Sequence, residues 1–497
     1  MNGMAMVWRA EWMKFAAHPL QRRMTWLLLA ALLISAVWSG LQARAVRAGL
    51  ERSIASLVSE RARAQAAAPV APPATPAQAL KAAQAAFSLG KGDLGLTWMT
   101  PPGALVLGAE RHGAMGAVSR VTVESRHAQG RLLGALTNPL LSEAGLPSFP
   151  SMIVLWLPLV LIVMTAASLQ GEREEGTWRL VEAQGPCGGA SALLAFLGLR
   201  FAVGWAVAAA TSTVAFVLDP GASAGDWAAW LGHLALYTAC WFVLCGGLCL
   251  VRLSAASTVL VGLGLWLMLT FAVPAALGWA ARSVAPMPSR LVAIAELRDV
   301  QQAAESREKA LLTAWYARRP EARPDPSLAP AVPGWPVTFI PRYEAEEAAL
   351  RPSMRRFDAV RVQQEQIMRR WAWLSPSLAL VMAAERLAAV DALSRERHAR
   401  HVDGFEDRWR DFFGQRVMGY RGVTRADFAR MPAFERELAS DVDAGHRREA
   451  EGPLALSLLF LLLFVSGLAA VPALIRSAVL ARCRRGFRRW GRAIGPR

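Results

Sequence analysis

Seven consecutive residues, Gly171, Glu172, Arg173, Glu174, Glu175, Gly176 and Thr177, set three carboxylates and a guanidinium just after an apolar run, Ser151–Leu169. Such a cluster cannot stay in hydrocarbon, so the chain must emerge into water there. Its charged groups suit docking to another surface by charge-assisted hydrogen bonds. Gly176 and Thr177 allow a tight turn or cap at the same point. A polar helix end with no further role is the plainer alternative. A second constellation is His398 and His401, at i and i+3, with Asp403 and Glu406 near. Two imidazoles and a carboxylate are a candidate copper or zinc site. A solvated, charge-rich helix face explains them equally well, and no third histidine is near. Cys245 and Cys249 share a helix face at i, i+4, but small apolar filler accounts for them more simply.

Two catalytic motifs are missing. There is no H-E-x-x-H and no G-x-x-x-x-G-K-[ST]. The string Leu89-Gly90-Lys91-Gly92 lacks the first glycine of a phosphate loop and its magnesium-binding hydroxyl. The chain is therefore expected to be no enzyme and to hold no cofactor of its own.

The elements that must position these residues follow from hydropathy. The chain has 497 residues, 54% of them hydrophobic, and a mean hydropathy of +0.28. Its apolar residues gather in runs of about 18–25, the length a spanning helix needs. The expected class is an all-α polytopic membrane protein with six transmembrane helices: 24–41, 150–170, 201–218, 228–250, 254–279 and 453–475. Between the fifth and sixth lies a large, mostly helical domain, 280–452. Gly176–Leu199 reads as a helical hairpin broken at Gln184–Gly189, with Arg200 at the membrane interface before the third span. Pro158, Pro274 and Pro472 fall within spans and are candidate kinks.

Net charge is +17, and the two tails supply 11 of it: +3 from residues 1–23 and +8 from residues 476–497. The long segment 281–452 is nearly balanced, with 28 basic and 25 acidic residues. Nucleic acid is thus not the expected partner. Basic tails beside spans read as cytoplasmic anchors on anionic lipid. Lys and Arg in the short loops place both termini, 171–200 and Arg252 in the cytoplasm, and 42–149 and 280–452 outside. Arginine-rich, lysine-poor usage suits a GC-rich bacterium, so the outside is expected to be periplasm and the membrane the inner one. No cysteine lies in either long polar loop, which excludes a disulfide framework there.

Trp8, Trp12 and Phe15 recur at helical spacing within 1–23, an interfacial helix on the membrane that Pro19 ends. Leu480, Cys483, Phe487, Trp490 and Ile494 form a similar stripe in the basic tail 476–497, which either lies on the inner leaflet or stays solvated. Outside, Gln42–Ala68 reads as a helix and Pro69–Pro76 as a linker. Val106–Val123 is weakly strand-like. Leu291–Trp315 and Glu344–Trp373 read as helices separated by the proline-rich Pro320–Pro341. Ser375 and Pro376 open a third helix that runs through Phe413.

The order of elements resembles the permease subunits of ABC-2 type transporters, whose second span is followed by a Glu-Arg-Glu…Gly-Thr segment. The resemblance implies that 1–23 is an elbow helix and that 171–200 is the coupling segment contacted by a separate ATPase subunit. That subunit would bind ATP and Mg. It also implies a second permease chain, as a homo- or heterodimer, and an exporter. A further resemblance, to the uncharacterised DUF3526 branch of these permeases, rests on Leu374-Ser375-Pro376, Asp391, Arg397–His401, Phe405 and Arg408. A common Gly-Thr before the Asp is replaced by Ala389-Val390. Some relatives are linked to maturation of multi-copper enzymes, which bears on His398 and His401 and on a periplasmic partner. The rival expectation is a membrane-anchored periplasmic sensor or assembly scaffold without transport.

Overall fold

The computed structural model describes residues 3–114, 118–124, 148–178, 180, 188–251, 253–330, 333–435, 452–463 and 465. Helix α1 (Gly3–Ala17) meets α2 (Pro19–Ala67) at His18. Pro19 sits in the first turn of α2, where its missing N–H leaves no bond unmade. α2 is one helix of 49 residues, so the expected span 24–41 and the rise 42–68 form a single rod about 73 Å long. Thr75 caps α3 (Pro76–Lys91), accepting from the Gln78 N–H at 3.4 Å. The weakly strand-like stretch Val106–Val123 contributes a tight turn, Leu105–Leu107, then α4 (Ala109–Ala114) and one short strand. That strand, β2 (Val118–Arg120), pairs antiparallel with β1 (Leu96–Trp98), Thr97 facing Ser119.

Four more long helices follow: α5 (Phe149–Glu174), α6 (Gly188–Leu218), α7 (Ala224–Leu250) and α8 (Ala255–Val284). With α2 they are five helices long and apolar enough to cross a membrane. Gly452–Leu463, the described start of the expected sixth span, is apolar and helical. The remainder of 453–475 apart from residue 465, with Pro472, lies outside the described residues, as do the tail 476–497 and residues 181–187.

α6 differs from expectation. It is continuous from Gly188, so the arm up to Leu199 and the span 201–218 are one helix of 31 residues with Arg200 inside it. The reason is local: the residues before Arg200 are apolar helix formers, and the Arg200 charge is neutralised within the protein, so nothing stops the helix.

At the two described candidate prolines, Pro158 and Pro274, the hydrogen bond that each cannot make is accounted for. Pro158 has no N–H to give the carbonyl of Val154; the Tyr237 hydroxyl donates to that carbonyl at 3.3 Å. Pro274 follows a π-turn, Met268–Ala272, in which the Val273 N–H reaches back to Met268. The Leu269 carbonyl is thereby skipped, and Pro274 cannot supply the bond either.

The remaining helices are α9 (Arg290–Ser306), α10 (Glu308–Arg318), α11 (Phe339–Trp371), α12 (Pro376–Leu387) and α13 (Ala392–Met418). The expected helix Leu291–Trp315 is therefore two, broken at Arg307. The expected helix from Pro376 through Phe413 is also two. It breaks at Ala388–Asp391, where Ala389 adopts φ 50°, a left-handed conformation that favours glycine. α11 begins five residues earlier than expected and carries Pro352 inside it.

Two cores result. A head core joins Phe87 of α3, Val121 and Val123, Trp315, Ile340, and Phe405, Trp409 and Phe413 of α13. The segment after α2 is thus a packed part of the head. Gly90 is required there: a Cβ would lie 2.8 Å from Phe413 and 2.3 Å from Val123. The bundle core joins the long helices and, with them, Leu378, Leu380, Ala384 and Leu387 of α12. α12 therefore packs with the spans although its neighbours in sequence, α11 and α13, belong to the head.

Candidate functional site

The Gly171–Thr177 segment closes α5 and ties together four other helices. Gln170, just before it, donates to the Val251 carbonyl at 3.1 Å. The Arg173 guanidinium donates to the Cys249 carbonyl. Both acceptors are at the C-terminal end of α7, where carbonyls lack intrahelical partners and a positive charge is favoured. Glu174 does the converse. Its carboxylate accepts from the Ala255 N–H at 2.9 Å, at the first turn of α8, where N–H groups are unpaired and a negative charge is favoured. Adjacent residues of one motif thus fasten the end of α7 and the start of α8, and so fix the turn between them.

Glu172 faces the other way, 3.5 Å from the Lys14 ammonium of α1. Lys14 also pairs with Glu11 at 3.4 Å, and Glu11 with the Arg200 guanidinium at 3.5 Å. Arg200 is 2% exposed, donates to the Phe196 carbonyl at 2.7 Å, and stacks 3.5 Å over the Phe196 ring. The chain Arg200–Glu11–Lys14–Glu172 therefore locks α1 and α6 to the end of α5. Trp178 packs with Leu169, Phe196 and Cys249 beneath this network. Cys245 and Cys249 are buried apolar filler in α7.

The rest of the motif forms the turn. The Glu175 N–H donates to the Gly171 carbonyl at 2.9 Å, and the Gly176 N–H to Arg173 at 3.2 Å. Gly176 has φ 77°, and the Thr177 hydroxyl donates back to the Glu172 carbonyl at 2.9 Å. Glu174, Glu175, Gly176 and Thr177 are exposed. The site thus has a fastened inner side and an open outer side.

Sequence reasoning found the motif but not its partners. Arg200 inside an apolar run carried a signal, since a buried charge requires a counter-charge. Glu11, the only acid in the first 23 residues, was the counterpart to look for. Of the stripe Trp8, Trp12 and Phe15, only Phe15 is buried, while Trp8 and Trp12 stay exposed. Phe15 is 7% exposed in the bundle core, and a Cβ on Gly198 would lie 3.0 Å from Trp8. Trp12 remains exposed and stacks on Phe15 at 6.0 Å.

A second joint involves the Leu374-Ser375-Pro376 turn. The Ser375 hydroxyl accepts from the Leu378 N–H at 3.1 Å, capping α12, and donates to the Leu269 carbonyl left free by the π-turn of α8. The Thr270 and Ser377 hydroxyls meet at 3.1 Å beside it. From the other side the Ser457 hydroxyl donates to the Trp373 carbonyl at 2.7 Å. Asp391, at the N-cap of α13, is 2% exposed and stands 3.9 Å from Arg369. The Ala392 N–H is taken by Glu365 instead. Phe405 lies in the head core and Arg408 is exposed.

His398 and His401 flank Phe434, and the His401 Nε2 is 3.1 Å from the Glu435 carbonyl oxygen. Among the described residues no group of three or more His, Cys, Asp or Glu could hold a metal ion. Asp403 and Glu406 are buried, so the expected solvated, charge-rich face does not hold for these two carboxylates, which turn into the protein.

Residues 290–437 match the model of a family described as a domain of unknown function, DUF3526. The match covers α9 to α13 and so includes Ser375 and Ser377 of the joint, but not Leu269, Thr270 or Ser457 across it. No match was found among curated proteins or among solved structures.

Proposed function

We propose that this chain is the membrane-spanning permease subunit of an ATP-driven ABC-2 type transporter, working as an exporter, with hydrolysis carried out by a separate ATPase chain that binds ATP and Mg. The observation that carries this reading is the two-sided geometry of Gly171–Thr177. Its exposed turn offers a carboxylate-rich docking rim, while its inner side chains fasten α1, α6, α7 and α8. A push on the rim would reach four helices through bonds between 2.9 and 3.5 Å rather than through a loose loop. In this reading the chain sits in a bacterial inner membrane, both termini and the rim face the cytoplasm, and the head stands in the periplasm. Lipid surrounds the spans and a second permease chain completes the unit.

The family match covers α9 to α13, in the head and the part of the bundle next to it, and not the rim. It supports a second reading, a membrane-anchored periplasmic sensor or assembly scaffold without transport. Affinity purification of the tagged chain from its native host in mild detergent, followed by mass spectrometry, separates the two. The permease reading expects an ABC ATPase in the preparation. It also expects loss of that ATPase on Glu175→Lys, which reverses a rim charge that makes no bond among the described residues. A folded chain that brings no ATPase rejects the reading in favour of the scaffold.

A further inference from the structure

We propose that α8 is a rod that carries displacement from the Gly171–Thr177 turn to the head, with the Leu269–Ser375 bond as its far attachment. The proposal rests on the permease reading for the origin of the force, but not for the mechanical link itself.

Three observations converge on α8. First, it is gripped at its start and at its middle by side chains of other elements. Glu174 holds the Ala255 N–H at 2.9 Å, and Ser375 holds the Leu269 carbonyl. These points are about 21 Å apart along the helix axis. Beyond them the Ala285 carbonyl accepts from Gln364 of α11 at 2.6 Å, a second attachment to the head. Second, α8 is the least embedded of the five candidate spans. Only 11% of its apolar window is buried, against 67% for α5 and for α7. Leu260, Val261, Leu267, Met268 and Phe271 are exposed, so little of this chain's own packed protein borders that stretch. A helix held at a few discrete points, Ala255, Leu269 and Ala285, and loosely packed between them can shift as a unit. Third, the far grip falls on the π-turn, whose extra residue stores an alternative hydrogen-bond register. The carbonyl that Ser375 occupies is the one that Pro274 and the π-turn leave unserved. Ser375 belongs to the turn that starts α12, and α12 lies in the bundle core while continuous with the head. Displacement of α8 therefore acts on α12 directly.

Hydrogen-exchange mass spectrometry on the full-length protein in nanodiscs tests this link without any ATPase. The variants are Glu174→Ala, Ser375→Ala, the double variant, and Ser375→Thr, which keeps the hydroxyl. The rod expects Glu174→Ala to speed amide exchange about tenfold within 378–387, far from the substitution. In the Ser375→Ala background Glu174→Ala should add nothing there, and Ser375→Thr should restore the transmitted effect. An effect of Glu174→Ala confined to 252–260 would overturn the proposal. Should Ser375→Ala fail to fold, Ser377→Ala with Thr270→Val loosens the same joint more gently and carries the same expectation. Transmission in a chain that recruits no ATPase would reject the permease reading and keep the rod.

Discussion

In the head, neighbouring helices are joined by arginine–carboxylate pairs. Arg351 grips Asp407 with two bonds of 2.6 and 2.9 Å, Arg319 grips Glu344 with two of 3.0 and 3.1 Å, and Arg410 reaches Glu347 at 3.4 Å. In the bundle, polar side chains mostly bond within their own helix or to a neighbour's hydroxyl. Thr165 donates to Leu161, Ser212 to Ala208, Thr238 to Leu234, and the Trp230 indole to Ser212 at 3.0 Å. Charged pairs in the bundle occur at its two ends. Arg200 with Glu11 marks the motif end, and Arg47 with Asp219 marks the end toward the head. The difference follows from the solvent each body expects. A head in water gains from burying rings and can set helix register with ion pairs. A bundle in lipid gains little from apolar burial, so close fit and locally satisfied hydroxyls hold it together. Charge is then tolerable only where the helices meet water.

The strongest way to break this comparison is to empty each core. Trp409→Ala should destabilise the head by about 3–5 kcal/mol, since the ring is fully buried and its indole N–H donates to Gly90. Thermal unfolding followed by near-ultraviolet circular dichroism checks this. The bundle should keep its own transition, and a single merged transition would deny that the two cores are separable.

Next in size is Arg47→Ala. It strands Asp219, whose side chain has no exposure, and also releases the carbonyls of Pro102 and Gly221. Loss of about 3 kcal/mol is expected, with recovery in the double variant Arg47→Met, Asp219→Asn, in which no charge is left unpaired. Detergent-resistance melting would read both.

Acid gives a third test. His112 of α4 is 1% exposed, and burial, aided by nearby Arg47, pushes its pKa down from 6.5 to about 4. The folded state thus keeps this imidazole neutral while the unfolded chain protonates it below about 6.5. Its contribution is fully present above that value and is lost as pH falls toward about 4, a change of up to about 3 kcal/mol. Melting temperature should fall over that window in the wild type and fall less in His112→Leu.

The smallest expected effect is Ser212→Ala, which removes the acceptor of the Trp230 indole. About 1 kcal/mol is expected, within the range of hydrogen bonds between membrane helices. A loss as large as that of Trp409→Ala would contradict the view that hydroxyls in the bundle act as modest, local fasteners.

Much of the helical layout was legible because bilayer thickness and helix caps leave strong marks. Runs of apolar residues gave the long helices, Pro19 gave the end of α1, Ser375-Pro376 gave the start of α12, and the charge cluster after Leu169 gave the end of α5. The break at Ala388–Asp391 was not legible, because alanine and valine fit a continuing helix and only packing of α12 into the bundle forces Ala389 to φ 50°. The head's composition was hidden for a similar reason. Nothing local in Pro76–Lys91 says that its alanine face lies against α13.

The sequence by itself determined which segments are apolar enough to cross a membrane and where the helix capped by Ser375 begins. Those are local matters of hydropathy, capping and desolvation, and each is decided within a few residues. Only the tertiary structure decided what the charges hold. Glu174 meets Ala255, Glu11 meets Arg200 across 189 positions, and Ser375 meets Leu269 across 106. Such pairs depend on how helices stack, and a carboxylate or hydroxyl of the same type, at the same local spacing, could have faced water instead.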